Sequence, residues 1–139
     1  MGTRKIGFLA LEKAIGGRIK SNALTSGYTT YYNYIPDNAT LPYIQIGGPI
    51  GTRSASLGAC DIEGQDNLVT IHIWSDYKGE TEVLGMMDNI CQAVTGTALS
   101  ITGYSNVLLL LDYTDVIRDD SNPIQIIFHG IVRFRCHMA

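Results

Sequence analysis

Three histidines are the residues best able to do chemistry in this chain, and two of them fall in apolar runs typical of strands. His72 lies in the alternating run Val69–Trp74, and His129 lies in the long run Ile124–Cys136. If these strands are neighbours, the two imidazoles come together, and with Cys136 they would offer the nitrogen and sulfur ligands that zinc prefers. Histidines on the less apolar face of a sheet are more often surface or interface residues, so we predict no metal site.

Nucleophilic catalysis would need a serine or cysteine beside a histidine that an acidic residue orients. The sequence has no Gly-x-Ser-x-Gly elbow. The glycine-rich run at 47–51 lacks the Lys-Ser/Thr of a phosphate-binding loop and opens no helix, so we interpret it as a turn. The cysteines Cys60, Cys91 and Cys136 are too widely spaced for a disulfide framework or a zinc motif, which favours a reducing compartment. We therefore predict a protein that is not an enzyme and holds no cofactor.

The clearest structural pattern is a strand that passes into a helix, between residues 69 and 94. Alternation in the strand places Val69, Ile71 and Ile73 on one face and Thr70, His72 and Trp74 on the other. After a short polar joint, apolar residues recur at spacings of three and four, which predicts a helix over Gly79–Val94. The residues of this stripe are Val83, Met86, Met87, Ile90 and Val94.

This run, through Trp74-Ser75-Asp76 and on to Val94, resembles the core signature of the small tail-completion proteins of long-tailed bacteriophages. That family includes tail terminators and tail-to-head joining proteins. The resemblance extends to the run Leu41-Pro42-Tyr43-Ile44, to the closing strand around Gln125–Arg135 and to an N-terminal helix of suitable length.

The resemblance implies a structural virion protein that forms a homo-oligomeric ring, a hexamer, at the head-proximal end of the tail tube. The ring would end tube polymerisation and offer a surface for head joining, with the major tail tube protein and a head-tail connector protein as partners. DNA would only pass through the lumen, no membrane would be involved, and assembly would take place in the host cytoplasm. One alternative is a neck protein between the portal-side adaptor and the tail, and a more distant one is a small ligand-binding or enzymatic α+β domain.

Length and composition agree with a single globular domain over residues 1–139. The chain is 45% hydrophobic and 17% charged, and this low charged fraction fits a surface that neighbours partly cover. A net charge of −3 gives no general case for nucleic-acid binding. The first twenty residues nevertheless carry five basic residues and one acidic residue, so their net charge is +4.

The coarse order of elements is α-β-β-α-β-β, which predicts the α+β class, with a mostly antiparallel four-stranded sheet and two helices packed on one face. The first helix is expected from about Arg4 to Ile15 and ends at the glycine pair that follows. Residues 21–40 have the composition of a loop. The predicted strands span residues 42–46, 69–74, 107–117 and 124–136.

The last predicted strand would be roughly 40 Å long at the usual rise per residue. Gly130 is the expected position of a bend or bulge in it. A turn at 119–123 precedes it. A strand of this length can extend past its own core and present its end to another subunit.

Three groups of residues are candidates for protein interfaces. Tyr28, Tyr31 and Tyr32 lie in a tyrosine-rich stretch without basic residues, which favours protein contact or local packing over nucleic-acid stacking. The segment 49–67 is a candidate arm or loop reaching a neighbour, with charged contacts at Arg53, Asp61 and Glu63. The hairpin tip carries Arg118, Asp119 and Asp120, either as a solvated turn or as a contact that sets register between subunits.

Overall fold

The computed structural model describes residues 8–32, 34–47, 50–54, 64–96, 98–101, 103–104, 107–122 and 124–138. Its elements are α1 (Phe8–Ser21), β1 (Thr30–Tyr32), β2 (Tyr43–Ile46), β3 (Ile50–Ser54), β4 (Gly64–Ser75), α2 (Thr81–Thr95), β5 (Val107–Asn122) and β6 (Gln125–Met138). No helix within these ranges is long and apolar enough to cross a membrane.

The α+β class is confirmed, but the sheet is mixed and has six strands, so the predicted number of four strands was wrong. The strands lie side by side in the order β1-β2-β4-β6-β5. The remaining strand, β3, pairs with the first residues of β4, while β2 pairs with its last residues. Among the described strands, only the β1–β2 pair is parallel, and the other four pairs are antiparallel. β1 escaped prediction because it is three residues long inside a polar stretch, and its hydrogen bonds to β2 hold it in place.

One face of the sheet forms the core. The predicted inward side of β4, with Val69, Ile71 and Ile73, is fully buried, as is the predicted stripe of α2 apart from slight exposure of its two methionines. On β6 the buried residues alternate as Phe128, Gly130, Val132, Phe134, Cys136 and Met138. Helix α2 lies across β4, β5 and β6 on this face, and the buried residues of α1 belong to the same core.

Helix α1 continues through the glycine pair that was expected to end it. Gly16 is buried, and a Cβ there would lie 1.9 Å from the hydroxyl oxygen of Tyr32, so the glycine lets the Tyr32 side chain lie directly on the helix. Beyond it, Ile19 is fully buried, and Arg18 donates to the carbonyl oxygens of Ala93, in the last turn of α2, and of Ala98, just past that helix. These tertiary contacts outweigh the low helix propensity of two glycines.

The two neighbouring glycines predict opposite responses to alanine. Gly17 is exposed, and a Cβ added to it would have nothing within 4 Å, so Gly17→Ala should raise the free energy of unfolding by roughly 0.5–1 kcal/mol. Gly16→Ala should lose that gain, because the added methyl displaces the Tyr32 ring. Urea unfolding of both variants checks this, and an equal gain in the two would contradict the contact between Gly16 and Tyr32.

Gly130 has a different role from the one expected. It pairs in unbroken register with Ile73 on β4 and Val116 on β5, so β6 has no bulge there. Its missing side chain makes room for α2 instead, since a Cβ would lie 2.8 Å from Val83 Cγ2 and 3.0 Å from Met87 Sδ. The bulge is on β5, where the register shifts between Leu111 and Tyr113.

The hairpin of β5 and β6 is longer than predicted. Pairing continues to Asp119, the register shifts between Asp119 and Asn122, and the last pair is Asn122 opposite Gln125, which leaves two residues between the strands. Composition indicated a turn because these residues are polar, yet Asp119, Asp120 and Ser121 sit on exposed strand, where polar side chains remain in water.

Candidate assembly interface

The face of the sheet turned away from the helices is a candidate interface, which we call the open face. It carries Thr70, His72 and Trp74 of β4, as predicted, and the strand register places His129, Ile131 and Arg133 of β6 next to them. All six are half-buried. Neither described helix packs on this side, so aromatic and aliphatic groups of this face lie partly open to solvent.

The two strand histidines meet at the centre of the open face. The Nδ1 atom of His72 and the Nε2 atom of His129 are 2.8 Å apart, which confirms the prediction that they would be neighbours. His129 stacks on Trp74, with ring centroids 3.8 Å apart and planes within 7°. The indole Nε1 of Trp74 is buried and has no hydrogen-bond partner among the described residues.

Burial lowers the pKa of both histidines. For His129, the neighbouring His72 charge lowers the pKa further. A hydrogen bond between two imidazole nitrogens needs one donor and one acceptor, so it is lost once both rings are protonated. Within the described residues, no group of three or more histidine, cysteine or acidic side chains is placed to hold a metal ion.

The histidine pair predicts a stability that depends on pH. Since the folded-state pKa values lie below the ordinary value of about 6.5, the unfolded chain binds protons more readily. The stabilisation is complete above pH 6.5 and is lost as the pH falls from there through the lower folded-state values. Urea midpoints at pH 8, 6.5 and 5 should therefore decrease in that order.

The matched variants are His72→Phe, His129→Phe and His137→Gln. Removing either member of the pair should flatten the pH dependence between 8 and 5. The same measurement on His137→Gln shows how much of any change comes from losing a histidine outside the pair. An unchanged slope in His72→Phe and His129→Phe would show that other groups produce it.

Two ion pairs lie on the open face, both in the half of β6 that follows His129. Arg133 Nε donates to Asp112 Oδ2 at 2.9 Å, and the Arg133 guanidinium also lies 4.9 Å from the Tyr113 ring centroid. Arg135 contacts Asp66 through both Nε and Nη2, and these hydrogen bonds lower the pKa of the Asp66 carboxyl. Such exposed pairs add little stability, but they fix the charged side chains in defined positions.

Strand β5 borders the open face and exposes large apolar side chains along its length. Leu108, Leu110, Leu111, Tyr113 and Ile117 are each between 43% and 56% exposed. Of these, all but Leu111 share the open face, because the bulge at Asp112 changes the alternation between Leu110 and Tyr113. β5 pairs only with β6 among the described strands, so its other side is an edge.

The predicted interface tyrosines lie in different surroundings. Tyr28 packs against the core and accepts a hydrogen bond from Asn89 Nδ2 at 2.8 Å, which matches the alternative of local packing. Tyr31 packs edge-on against Tyr43 with centroids 5.7 Å apart. Tyr32 is 39% exposed and lies under the Lys20 ammonium group. An interface role for these residues stays a prediction.

The charged candidates are divided between two hairpins. Arg118, Asp119 and Asp120 are exposed near the end of β5, and Asp119 accepts hydrogen bonds from the backbone and hydroxyl of Ser121, which lower its pKa. Arg53 belongs to β3. Asp61 and Glu63 lie outside the described residues. The structure does not bring the described members of these two groups together.

Sequence reasoning missed two parts of the open face, the apolar residues of β5 and Tyr43. Tyr43 is on β2, opposite Trp74. The run at 107–111 is continuously apolar and shows no alternation, so it carried no sign of which residues face outward. The bulge at Asp112 then reverses which residues of β5 face outward, and no local sequence pattern marks its position.

Comparisons with known proteins agree with this architecture. Among solved structures, the chain is similar to a protein from the virion of a native gene transfer agent particle, with a TM-score of 0.76 and 15% identity over 92% of this chain and 93% of that one. It is also similar to the gp17 protein of bacteriophage SPP1, with a TM-score of 0.61 and 18% identity over 97% of this chain and 93% of that one. At these identities the likeness shows the fold alone.

No curated protein matches the sequence. The model of the family described as "Tail completion protein gp17" matches residues 14–139, which is nearly the whole chain. The resemblance to phage tail-completion proteins is thereby confirmed, and the chain belongs to the tail completion protein gp17 family.

Proposed function

We propose that this chain forms a ring, a hexamer, at the head-proximal end of a phage tail tube, where it ends tube polymerisation and offers a surface for head joining. The observation that carries the proposal is the sixteen-residue edge strand β5, which exposes aliphatic side chains along one border of an open sheet face. Exposed apolar strand edges of this length are a liability in a protein that stays alone.

A heterologous contact between copies suits this architecture. The two edges of the sheet, β1 and β5, differ in length and composition, so one edge of each copy can meet a different surface of the next. Repeated contacts of this kind close into a ring when the rotation between copies permits. The ring would bind the last layer of the major tail tube protein on one side and a head-tail connector protein on the other, with DNA only passing through the lumen.

The hairpin of β3 and β4 supplies a second element for assembly. Its strands pair from Ile50 opposite Leu68 to Ser54 opposite Gly64, so the segment 49–67 starts and ends on the sheet. We propose that this segment is the arm that reaches a neighbouring subunit or the tube, with Arg53, Asp61 and Glu63 among its contacts. The location would be the virion tail.

Gene disruption and imaging test the proposal. Loss of a terminator should give tubes of uncontrolled length, and purified protein should form rings visible by electron microscopy. Loss of a neck protein would instead leave tails of normal length that do not attach to heads, which would favour the alternative. A chain that stays monomeric at all concentrations, alone and with tubes, and binds a small ligand saturably would contradict both.

A further inference from the structure

One exposed stripe of α1 combines aliphatic and basic residues. Leu9, Lys13, Gly17 and Lys20 are exposed at spacings of four, four and three, so they lie on one side of the helix. Leu24, just beyond the helix, is also exposed. We call Leu9, Lys13, Gly17, Lys20 and Leu24 the α1 stripe. Its glycine lies between the two lysines, and a Cβ added there would have nothing within 4 Å.

Strand β5 presents a surface of opposite charge. Three exposed leucines lie in its first half. Its second half exposes Asp115, Asp119 and Asp120, with Ile117 and the basic residue Arg118 between them. The Arg118 guanidinium lies 3.9 Å from Asp120, and both side chains are more than half exposed, so this pair neutralises the edge only in part. We call Leu108, Leu110, Leu111, Asp115, Ile117, Asp119 and Asp120 the β5 edge.

The two surfaces lie at opposite borders of the molecule. Helix α1 contacts β1 through the approach of Tyr32 to Gly16 and the position of Lys20 over the Tyr32 ring. β1 and β5 are the first and last strands across the sheet, so three strands separate the α1 border from the β5 border. The α1 stripe and the β5 edge of one chain are therefore placed to meet those of different copies.

Charge also decides how copies can pair. Two β5 edges paired in parallel, or antiparallel about Ile117, would bring aspartates together, and like charges across strands are destabilising. Two α1 stripes would bring lysines together in the same way. A β5 edge against an α1 stripe matches acidic with basic groups and aliphatic with aliphatic groups, which favours the correct register and accelerates association.

We propose that the β5 edge of each copy binds the α1 stripe of the next copy, as the heterologous contact that builds the ring. This inference rests on the proposed function in one respect only, the closure of the contacts into a ring. It names the two surfaces, and the occupant of each is a second copy of this chain.

A charge-exchange experiment on the full chain tests the pairing. The edge variant is Asp115→Lys with Asp120→Lys, the stripe variant is Lys13→Glu with Lys20→Glu, and sedimentation velocity at low ionic strength measures assembly. Each variant alone should associate at least about tenfold more weakly than wild type, because both of its surfaces then carry the same sign. An equimolar mixture should recover assembly, since each altered surface finds its complement on the other variant.

The matched control for the edge variant is Glu80→Lys with Asp88→Lys, which raises the net charge by the same amount at two exposed positions, one just before α2 and one within it. It should assemble as wild type. Circular dichroism checks folding. If a charge reversal disturbs folding, neutral replacements are used instead. These are Asp115→Asn with Asp120→Asn for the edge and Lys13→Gln with Lys20→Gln for the stripe. Each pair should still weaken association.

Three results would overturn the pairing. The first is that either variant forms rings normally. The second is that the variants lose assembly and do not recover it on mixing. Both would exclude these two surfaces and leave the proposed ring intact. A wild-type chain that remains monomeric both alone and with purified tail tubes would overturn the pairing and the proposed function together.

Discussion

Gly130→Val should destabilise the protein by about 3 kcal/mol, at the upper end of the cost of overpacking a core. A Cβ at this position already lies 2.8 Å from Val83 Cγ2 and 3.0 Å from Met87 Sδ, and valine adds two more carbons. Helix α2 cannot move away without exposing the fully buried Val83 and Ile90. For a chain of this length the midpoint of thermal unfolding should fall by roughly 10 °C.

A double-mutant cycle with Val83→Ala tests the cause. Val83→Ala alone should destabilise by leaving a cavity, but in the Gly130→Val background it should cost much less or restore stability, with a coupling of about 1–3 kcal/mol. Denaturant unfolding of the four proteins measures the coupling. Additive effects would show that Gly130 is required for a backbone reason and not for the approach of α2.

Leu110→Lys with Ile117→Lys should prevent tail completion while the isolated chain remains folded. Both side chains are about half exposed on the open face, so a charge there is solvated in the monomer and buried only in an assembly. Losing a central apolar contact costs about 2 kcal/mol or more, which is about thirtyfold in each association step. Complementation of a gene disruption, scored as complete particles by electron microscopy, measures the effect.

The control for this variant is Leu84→Lys, on the outer side of α2. Leu84 is 43% exposed, similar to the two β5 residues, but it lies on neither the open face nor the β5 edge. It should complement as wild type. Equal loss in both variants would indicate a general sensitivity to surface charge, and normal completion by the β5 variant would exclude this strand from the interface.

Much of the candidate site followed from local patterns. The two-residue period of 69–74 places His72 and Trp74 opposite the core, and the same period in β6 places His129 on that side. Once the register places Trp74 opposite His129, the two imidazoles come close, and the Nδ1 of His72 and the Nε2 of His129 are 2.8 Å apart. The sequence showed the basic charge of the first twenty residues. Which of these residues share one exposed side of α1, and which surface we propose as their partner, required the structure.

The failures share one physical origin, which is contact between residues distant in sequence. β1 exists because β2 pairs with it, and α1 passes through Gly16 because Tyr32 lies against it. β5 exceeds its predicted length because β6 continues to pair with its charged end. Propensity and composition describe a residue's own preferences, which such contacts override.

Periodicity is a property of the chain alone, and it was enough to predict the α+β class, the buried side of β4 and the helix α2. The motifs carried the resemblance to a tail-completion family, which the family model then confirmed. Three other features came from the folded molecule: the mixed six-stranded sheet, the space that Gly130 leaves for α2, and the bulge at Asp112 that brings Tyr113 and Ile117 onto the open face. These features depend on pairing register and on the close approach of separate elements, which no local pattern encodes.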